Sequence, residues 1–282
     1  MDIGLFKTFL EVNRTRHFGQ AADNLYLTQS AVSARIRLLE QTLGVTLFTR
    51  TRNNIELTPA GQKLLKYADS ILNTWNRARQ DIVLQDDSII PIAVGGVPSL
   101  WDILLQDWLD KVYQEHKNIL IHAEVHGQET LVKKLIDGSL DVAFLFEALQ
   151  LQEVELLEIA SIDLVLVSSQ KDQSVPQAMD NDYVLVNWGT SFAISHAQHF
   201  AEFKPPVMHA HLGRLAYEFI RRRGGSAYLA ETMVRKDIKA KRLFRVKDAP
   251  VLSRRAYAAM PSRSDRTDLL KHLLARSMFE TS

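Results

Sequence analysis

Gln29, Ser30, Ser33, Arg35 and Arg37 bring together, in one short stretch, the side-chain types that read nucleic acid. Amides and short hydroxyls hydrogen-bond base edges, and arginines reach guanine or phosphate. Arg50 and Arg52 follow in a run of threonine and asparagine. Other chemistry finds little support. The chain of 282 residues has no cysteine, which excludes a thiol nucleophile, a thiolate zinc site and a disulfide framework. No serine stands in a Gly-X-Ser-X-Gly elbow. Gly95-Gly96 and Gly224-Gly225 lack the dinucleotide and P-loop fingerprints. His196, His199, His209 and His211 lie near one another in sequence, and a His-X-His pair on a strand puts both rings on one face. No spaced carboxylate completes a ligand set. The expectation is a binding protein, not an enzyme, with no metal and no cofactor.

The elements around the polar residues fit that chemistry. Leu5, Phe6, Phe9, Leu10 and Val12 recur at helical spacing, so residues 2–14 read as an amphipathic helix. A second, shorter helix spans 18–25, with Ala21 and Ala22 small enough for close helix packing. Thr28 is a natural N-cap for a third helix over 29–43, buried through Ala31, Val32, Ile36, Leu39 and Leu43, and Gly44 ends it. Two helices joined by a tight turn, the second polar outside, make a helix-turn-helix whose second helix enters the major groove. Strands at Val45–Phe48 and Ile55–Leu57 then form a hairpin whose basic tip suits phosphates or the minor groove. Thr58-Pro59 opens a long helix to about residue 85. Its stripe of Leu64, Leu65, Ala68, Ile71, Leu72 and Trp75 is expected to dimerise the chain; the alternative is packing on its own domain.

Beyond residue 88, apolar strands alternate with helices, which predicts βαβ units and a mostly parallel sheet. Strands are expected at 88–96, 119–125, 140–146, 156–161, 164–167, 183–188, 207–211, 224–229 and 252–260, with a terminal helix over 264–279. The net charge of +1 hides an asymmetry. Residues 1–66 carry nine basic and five acidic side chains, residues 86–200 five and eighteen, and residues 201–282 eighteen and eight. Such contrast points to different partners for different segments. The basic last third is expected to pair with the acidic half within an oligomer; the alternatives are a solvated face or extra contact with the DNA backbone. No apolar run reaches the length of a membrane span and no signal peptide is visible, so a cytoplasmic location is expected.

The ordered run Ala21-Ala22, Leu25, Thr28-Gln29-Ser30-Ala31-Val32-Ser33, Ile36, Leu39-Glu40, Leu43-Gly44, Leu47-Phe48, Arg50 and Thr58-Pro59-Ala60-Gly61 closely resembles the N-terminal pattern of LysR-type transcriptional regulators. It also resembles the HdfR-like branch of that family, whose members repress flagellar master genes. The resemblance implies an α/β chain in three parts: a winged helix-turn-helix (1–58), a linker helix (59–87) and a two-lobed effector domain (88–282) similar to periplasmic binding proteins. Its lobes would be about 88–161 with the C-terminal segment, and about 162–256. Promoter DNA, a homodimer or homotetramer, RNA polymerase and a small-molecule effector are the implied partners. Gln29, Ser30, Ser33 and Arg35 would read the major groove, while Arg37, Arg50 and Arg52 hold the backbone. The effector cleft would take Ser99, Trp101, Gln128, Thr130, Trp188, Thr190 and His209. Ala34 departs from the family, where a long basic or amide residue is common. The rival readings are a regulator set only by its abundance, and an α/β binding protein or enzyme with an accessory DNA-binding domain.

Overall fold

Capping residues start all three N-terminal helices. The computed structural model describes residues 2–51, 54–83, 88–180, 182–200, 202–262, 266–275 and 279. Helix α1 (Ile3–Thr15) begins where the Asp2 carboxylate accepts from Gly4 N at 2.7 Å. Helix α2 (Phe18–Leu25) begins with the His17 ring accepting from Gln20 N at 3.1 Å. Helix α3 (Gln29–Leu43) begins with the Thr28 hydroxyl accepting from Ala31 N at 3.2 Å and stops at left-handed Gly44. Each cap satisfies an amide that the helix cannot. The three helices close on Phe6, Phe9, Val12, Ala21, Val32, Ile36 and Leu39, all buried. Leu43, expected in that stripe, is instead 39% exposed, because the last turn of α3 runs past the core.

The hairpin pairs β1 (Phe48–Thr51) with β2 (Asn54–Leu57), antiparallel with Phe48 opposite Leu57. The first strand starts three residues later than expected. Val45 is exposed, and the Leu47 amide is taken by the Glu40 carboxylate at 2.8 Å, not by a strand partner. Helix α4 (Pro59–Val83) follows. It approaches the hairpin so closely that a Cβ on Gly61 would lie 2.3 Å from the Leu47 carbonyl oxygen. Ala68 is fully buried in the head, and Leu64, Leu65, Ile71 and Leu72 pack half-buried on the same core. That corrects the expected dimer stripe at Ala68, whose side chain its own head already covers. Trp75 remains 45% exposed.

The chain divides into two compact units, the second made of residues 88–136 and 140–282. Its elements run β3 (Ile90–Gly96), α5 (Pro98–Leu100), a π-helical turn (Trp101–Leu105), α6 (Gln106–Glu115), β4 (Ile119–Val125), α7 (Gln128–Ile136) and β5 (Val142–Leu145). Then come β6 (Val154–Ser168), α8 (Val175–Asp180), β7 (Tyr183–Val186), α9 (Thr190–Phe200), β8 (Met208–Ala210), α10 (Gly213–Arg223), β9 (Ser226–Ala230), α11 (Glu231–Lys239), β10 (Phe244–Arg245), β11 (Leu252–Pro261) and α12 (Thr267–Leu273). The sheet order is β4-β3-β5-β11-β6-β9-β7-β8, with β10 beside β6.

The sheet is mixed, not mostly parallel. Two parallel triplets, β4-β3-β5 and β9-β7-β8, are bridged by antiparallel β11 and β6. The runs expected as separate strands at 156–161 and 164–167 are one strand of 15 residues. That strand serves both lobes: its first part pairs with β11, which also pairs with β5, and its last part pairs with β9. A register shift at Ala256/Tyr257 lets β11 make the same passage. The terminal helix is shorter than expected, ending at Leu273.

Candidate nucleic-acid interface and ligand cleft

Helix α3 presents one continuous open face. Ser30, Ala34, Arg37 and Gln41 follow the spacing that stacks side chains on one side of a helix, and all four are exposed. Gln29, at the first position, is also exposed, and Ser33 flanks the face half-buried. The Ser30 hydroxyl lies 3.0 Å from that of the capping Thr28. Arg35 lies off this face. It is half-buried, and a Cβ on Gly4 would lie 3.5 Å from its guanidinium, so it reaches over the start of α1. Ala34 sits at the centre of the face and leaves it without a long side chain there.

The wing is fixed to the helices at both ends. Glu40 of α3 accepts from the amides of Leu47 and Phe48, at 2.8 and 3.4 Å. The Phe48 ring packs on Phe9 and Phe18, with centroids 5.4 and 6.4 Å away. Arg16, in the left-handed conformation that closes α1, donates to the Ile55 carbonyl at 3.3 Å. Arg50 lies in β1 opposite Ile55. Arg52 lies outside the described residues. Glu11 ties α1 to α2 by accepting from Arg14 and, at 2.7 Å, from Asn24. The hydrogen bond from Arg14 holds its carboxyl below the usual range, against the effect of desolvation.

In the second unit, β3, β4 and β5 end on one rim, since Gly96 is level with both Val125 and Phe144. Ser99 follows that rim, 8% exposed, and the half-buried Gln128 and exposed Thr130 open α7 beside it. Asp102 projects from the π-helical turn. Desolvation raises its pKa, with Arg214 at the start of α10 opposing through space. Across the sheet, β7 ends at Val186, and Asn187, Trp188 and Gly189 lead into Thr190 and α9. Ligands of such sheets bind beyond the carboxyl ends of parallel strands.

The chain matches two family models: "Bacterial regulatory helix-turn-helix protein, lysR family" over residues 3–62, and "LysR substrate binding domain" over residues 91–277. It belongs to the LysR family. It is 36% identical over 289 residues to the HTH-type transcriptional regulator HdfR of Yersinia pestis (strain Pestoides F), covering 99% of this chain and 97% of the relative. The fold is also that of full-length family members. CbnR complexed with its target DNA superposes with a TM-score of 0.70 at 20% identity, covering 98% of this chain and 100% of that one. Vibrio fischeri DarR in complex with DNA gives 0.60 at 20% identity, with 98% and 99% covered. The relatives are named as regulators, not enzymes. The chain is thus a LysR-type DNA-binding transcriptional regulator with an effector-binding domain.

The structure of this regulator sorts the expected cleft residues. Ser99, Gln128, Thr130 and Thr190 lie at strand-end rims. Trp101 and Trp188 do not present their indoles as ligand donors. They are 7% and 2% exposed, and their N–H groups donate to the carbonyls of Glu124 and Tyr228 at 3.0 and 2.9 Å. His209 lies within the outermost strand, level with Leu185, and is exposed. The four histidines are spread apart in role: His196 of α9 stacks on Tyr183 at 5.6 Å, while His209 and His211 are exposed. Among the described residues, the group of His and carboxylate atoms that does come within 4.8 Å is Glu115, His116 and His272.

One buried charge of the regulatory unit was missed. Arg254 of β11 is 4% exposed, with its guanidinium 4.3 Å over the Phe146 ring that follows β5. Burial pushes its pKa down, with Glu147 opposing through space. The signal was present in the sequence. Leu252, Arg254, Ala256 and Ala258 alternate with Ser253, Arg255 and Tyr257, and strand alternation places the arginine on the inner face.

Proposed function

We propose that this regulator binds promoter DNA as a homodimer or a pair of homodimers, and that a small molecule in the cleft between its lobes biases how the DNA-reading heads are placed. The observation that carries the reading is the open face of α3: Ser30, Arg37 and Gln41, with Gln29 and Ser33 beside them, on a helix capped at both ends and flanked by a wing locked through Glu40 and Arg16. Such a face reaches base edges, with the wing along the backbone. Dimerisation through α4 is supported by Tyr67, Trp75 and Ile82, which are 65%, 45% and 80% exposed. Large apolar side chains left in water along one helix favour a partner. The site is cytoplasmic in this reading; no described helix is long and apolar enough to cross a membrane.

The test uses the full chain and the promoter beside its own gene. Wild type binds that DNA as an even-numbered oligomer by mobility shift and light scattering. Trp75→Ser shifts the chain towards monomer and weakens DNA binding, because two linked heads bind more tightly than one. An unchanged oligomer with Trp75→Ser would remove α4 as the interface, and a wild type without DNA affinity would remove the reading.

A further inference from the structure

The regulatory unit contains a buried charge that the protein itself leaves without a partner among the described residues. Arg254 is 4% exposed, and among the described residues no carboxylate, carbonyl or hydroxyl accepts a hydrogen bond from it. Its guanidinium lies over the face of Phe146, and stacking on a ring leaves the donors at the edge of the guanidinium free. Glu147 acts on it only through space and is exposed. Burying a guanidinium this way is costly. The same unit treats another deeply buried charge differently: Asp237, 1% exposed, is held by Arg242, Arg221 and Tyr217.

Three further features show what the free donors face. The side-chain atoms that are fully enclosed and unpaired among the described residues are Asn13 Oδ1 and His116 Nε2, so the Arg254 nitrogens keep an opening to solvent. Gly189 makes room for them. A Cβ there would lie 2.7 and 2.9 Å from the two terminal nitrogens, and its φ of +96° suits glycine. Gly189 also leads directly into α9, a helix of 11 residues whose first amides have no partner within the helix. A buried guanidinium and a helix start therefore converge on one spot, and both favour negative charge.

We propose that the effector is an organic carboxylate and that Arg254 is the residue that anchors it, as a two-point pair with the start of α9 beside it. This deepens the reading that a small molecule enters the cleft and rests on it. A carboxylate fits better than a phosphate. One guanidinium offers one positive charge in a fork that matches a carboxylate, and Glu147 disfavours a dianion. The position also explains how binding is transmitted. Phe146 follows β5 in one lobe, Gly189 follows β7 in the other, and β11 joins them. An anion on Arg254 touches both lobes and favours one arrangement of them.

The experiment uses the full-length protein. Melting temperatures are recorded with acetate, pyruvate, benzoate, cinnamate and succinate, with the matching carboxamides, and with inorganic phosphate. The same set is run on Arg254→Met and Arg254→Lys. We expect one or more acids to raise Tm while their amides and phosphate do not. Arg254→Met should weaken that acid about 30-fold or more, and Arg254→Lys less. Without any ligand, Arg254→Met should melt about 2–4 °C higher than wild type, since it removes an uncompensated charge. A lower ligand-free Tm, or acid shifts that survive Arg254→Met, overturns the anchor. If amides shift Tm as much as acids in both proteins, the cleft binds small molecules but not through an anion. If no compound shifts Tm and Arg254→Met does not raise it, both the anchor and the cleft reading fail.

Discussion

The DNA-reading head and the regulatory unit treat charge in opposite ways. Among the described residues of the head, no charged side chain is buried; Ser30, Arg37 and Gln41 stand in water on a capped helix. Among its described residues the regulatory unit buries three: Asp141, Asp237 and Arg254. Asp141 accepts from the Ala93 amide at 2.8 Å, and Asp237 is bound from three sides. Arg254 has only a ring beneath it. Under the proposal that the effector is a carboxylate, the difference follows from the partners. A polyanion is bound by several exposed cations acting additively and weakened by salt. A single small anion is held by one charge that has been denied any other partner. Affinity is spread over the surface in the first case and stored as an unmade bond in the second.

The strongest way to break that contrast is to remove the paired charge. Asp237→Ala strands Arg242 and Arg221 and leaves the Tyr217 hydroxyl without its acceptor. It should cost about 2–4 kcal/mol and lower the melting of the regulatory unit by several degrees, opposite in sign to Arg254→Met. A melting curve unchanged by Asp237→Ala would erase the distinction between partnered and unpartnered burial. In the head, Arg37→Ala should weaken promoter binding by about 1–3 kcal/mol in a titration at fixed salt. Arg35→Ala should cost less, because its guanidinium lies over the start of α1. Equal losses would move Arg35 onto the reading face. Arg50→Ala should lower the salt slope by about one while leaving sequence preference intact.

The same contrast decides what could be read from the sequence. In the head, periodicity and caps point the same way, so α2 and α3 emerge with their observed ends. The wing's first strand does not, because the Glu40 carboxylate takes the Leu47 amide from across the fold. In the regulatory unit, polar residues within β6, such as Ser161 and Asp163, read as a break. Pairing with β11 carries the strand through them. Helix α9 was not foreseen at all. Its stripe is Phe192, His196 and Phe200, one face at i, i+4 and i+8, but a histidine in the middle of the stripe masks its apolar period. Arg254 was legible by alternation alone and was hidden because a charged residue on an inner face contradicts the usual pattern.

That histidine supplies the smallest and most specific test. His196 lies among Phe192, Phe200 and Tyr228, and its Nε2 is 2.7 Å from the Tyr183 hydroxyl. Desolvation, with His199 assisting, holds its pKa below the ordinary histidine value. The neutral ring is therefore favoured in the folded state, and the unfolded chain binds the extra proton first. Stability from this site is full above about pH 6.5 and declines as pH falls towards the lower folded pKa. Below that, both states are protonated and the loss levels off. The head contains no such half-buried ring, so the effect belongs to the regulatory unit. Melting the wild type and His196→Phe between pH 7.5 and 5.5 checks it. The wild type should lose more stability over that window, and parallel curves would show that His196 does not titrate as a core residue.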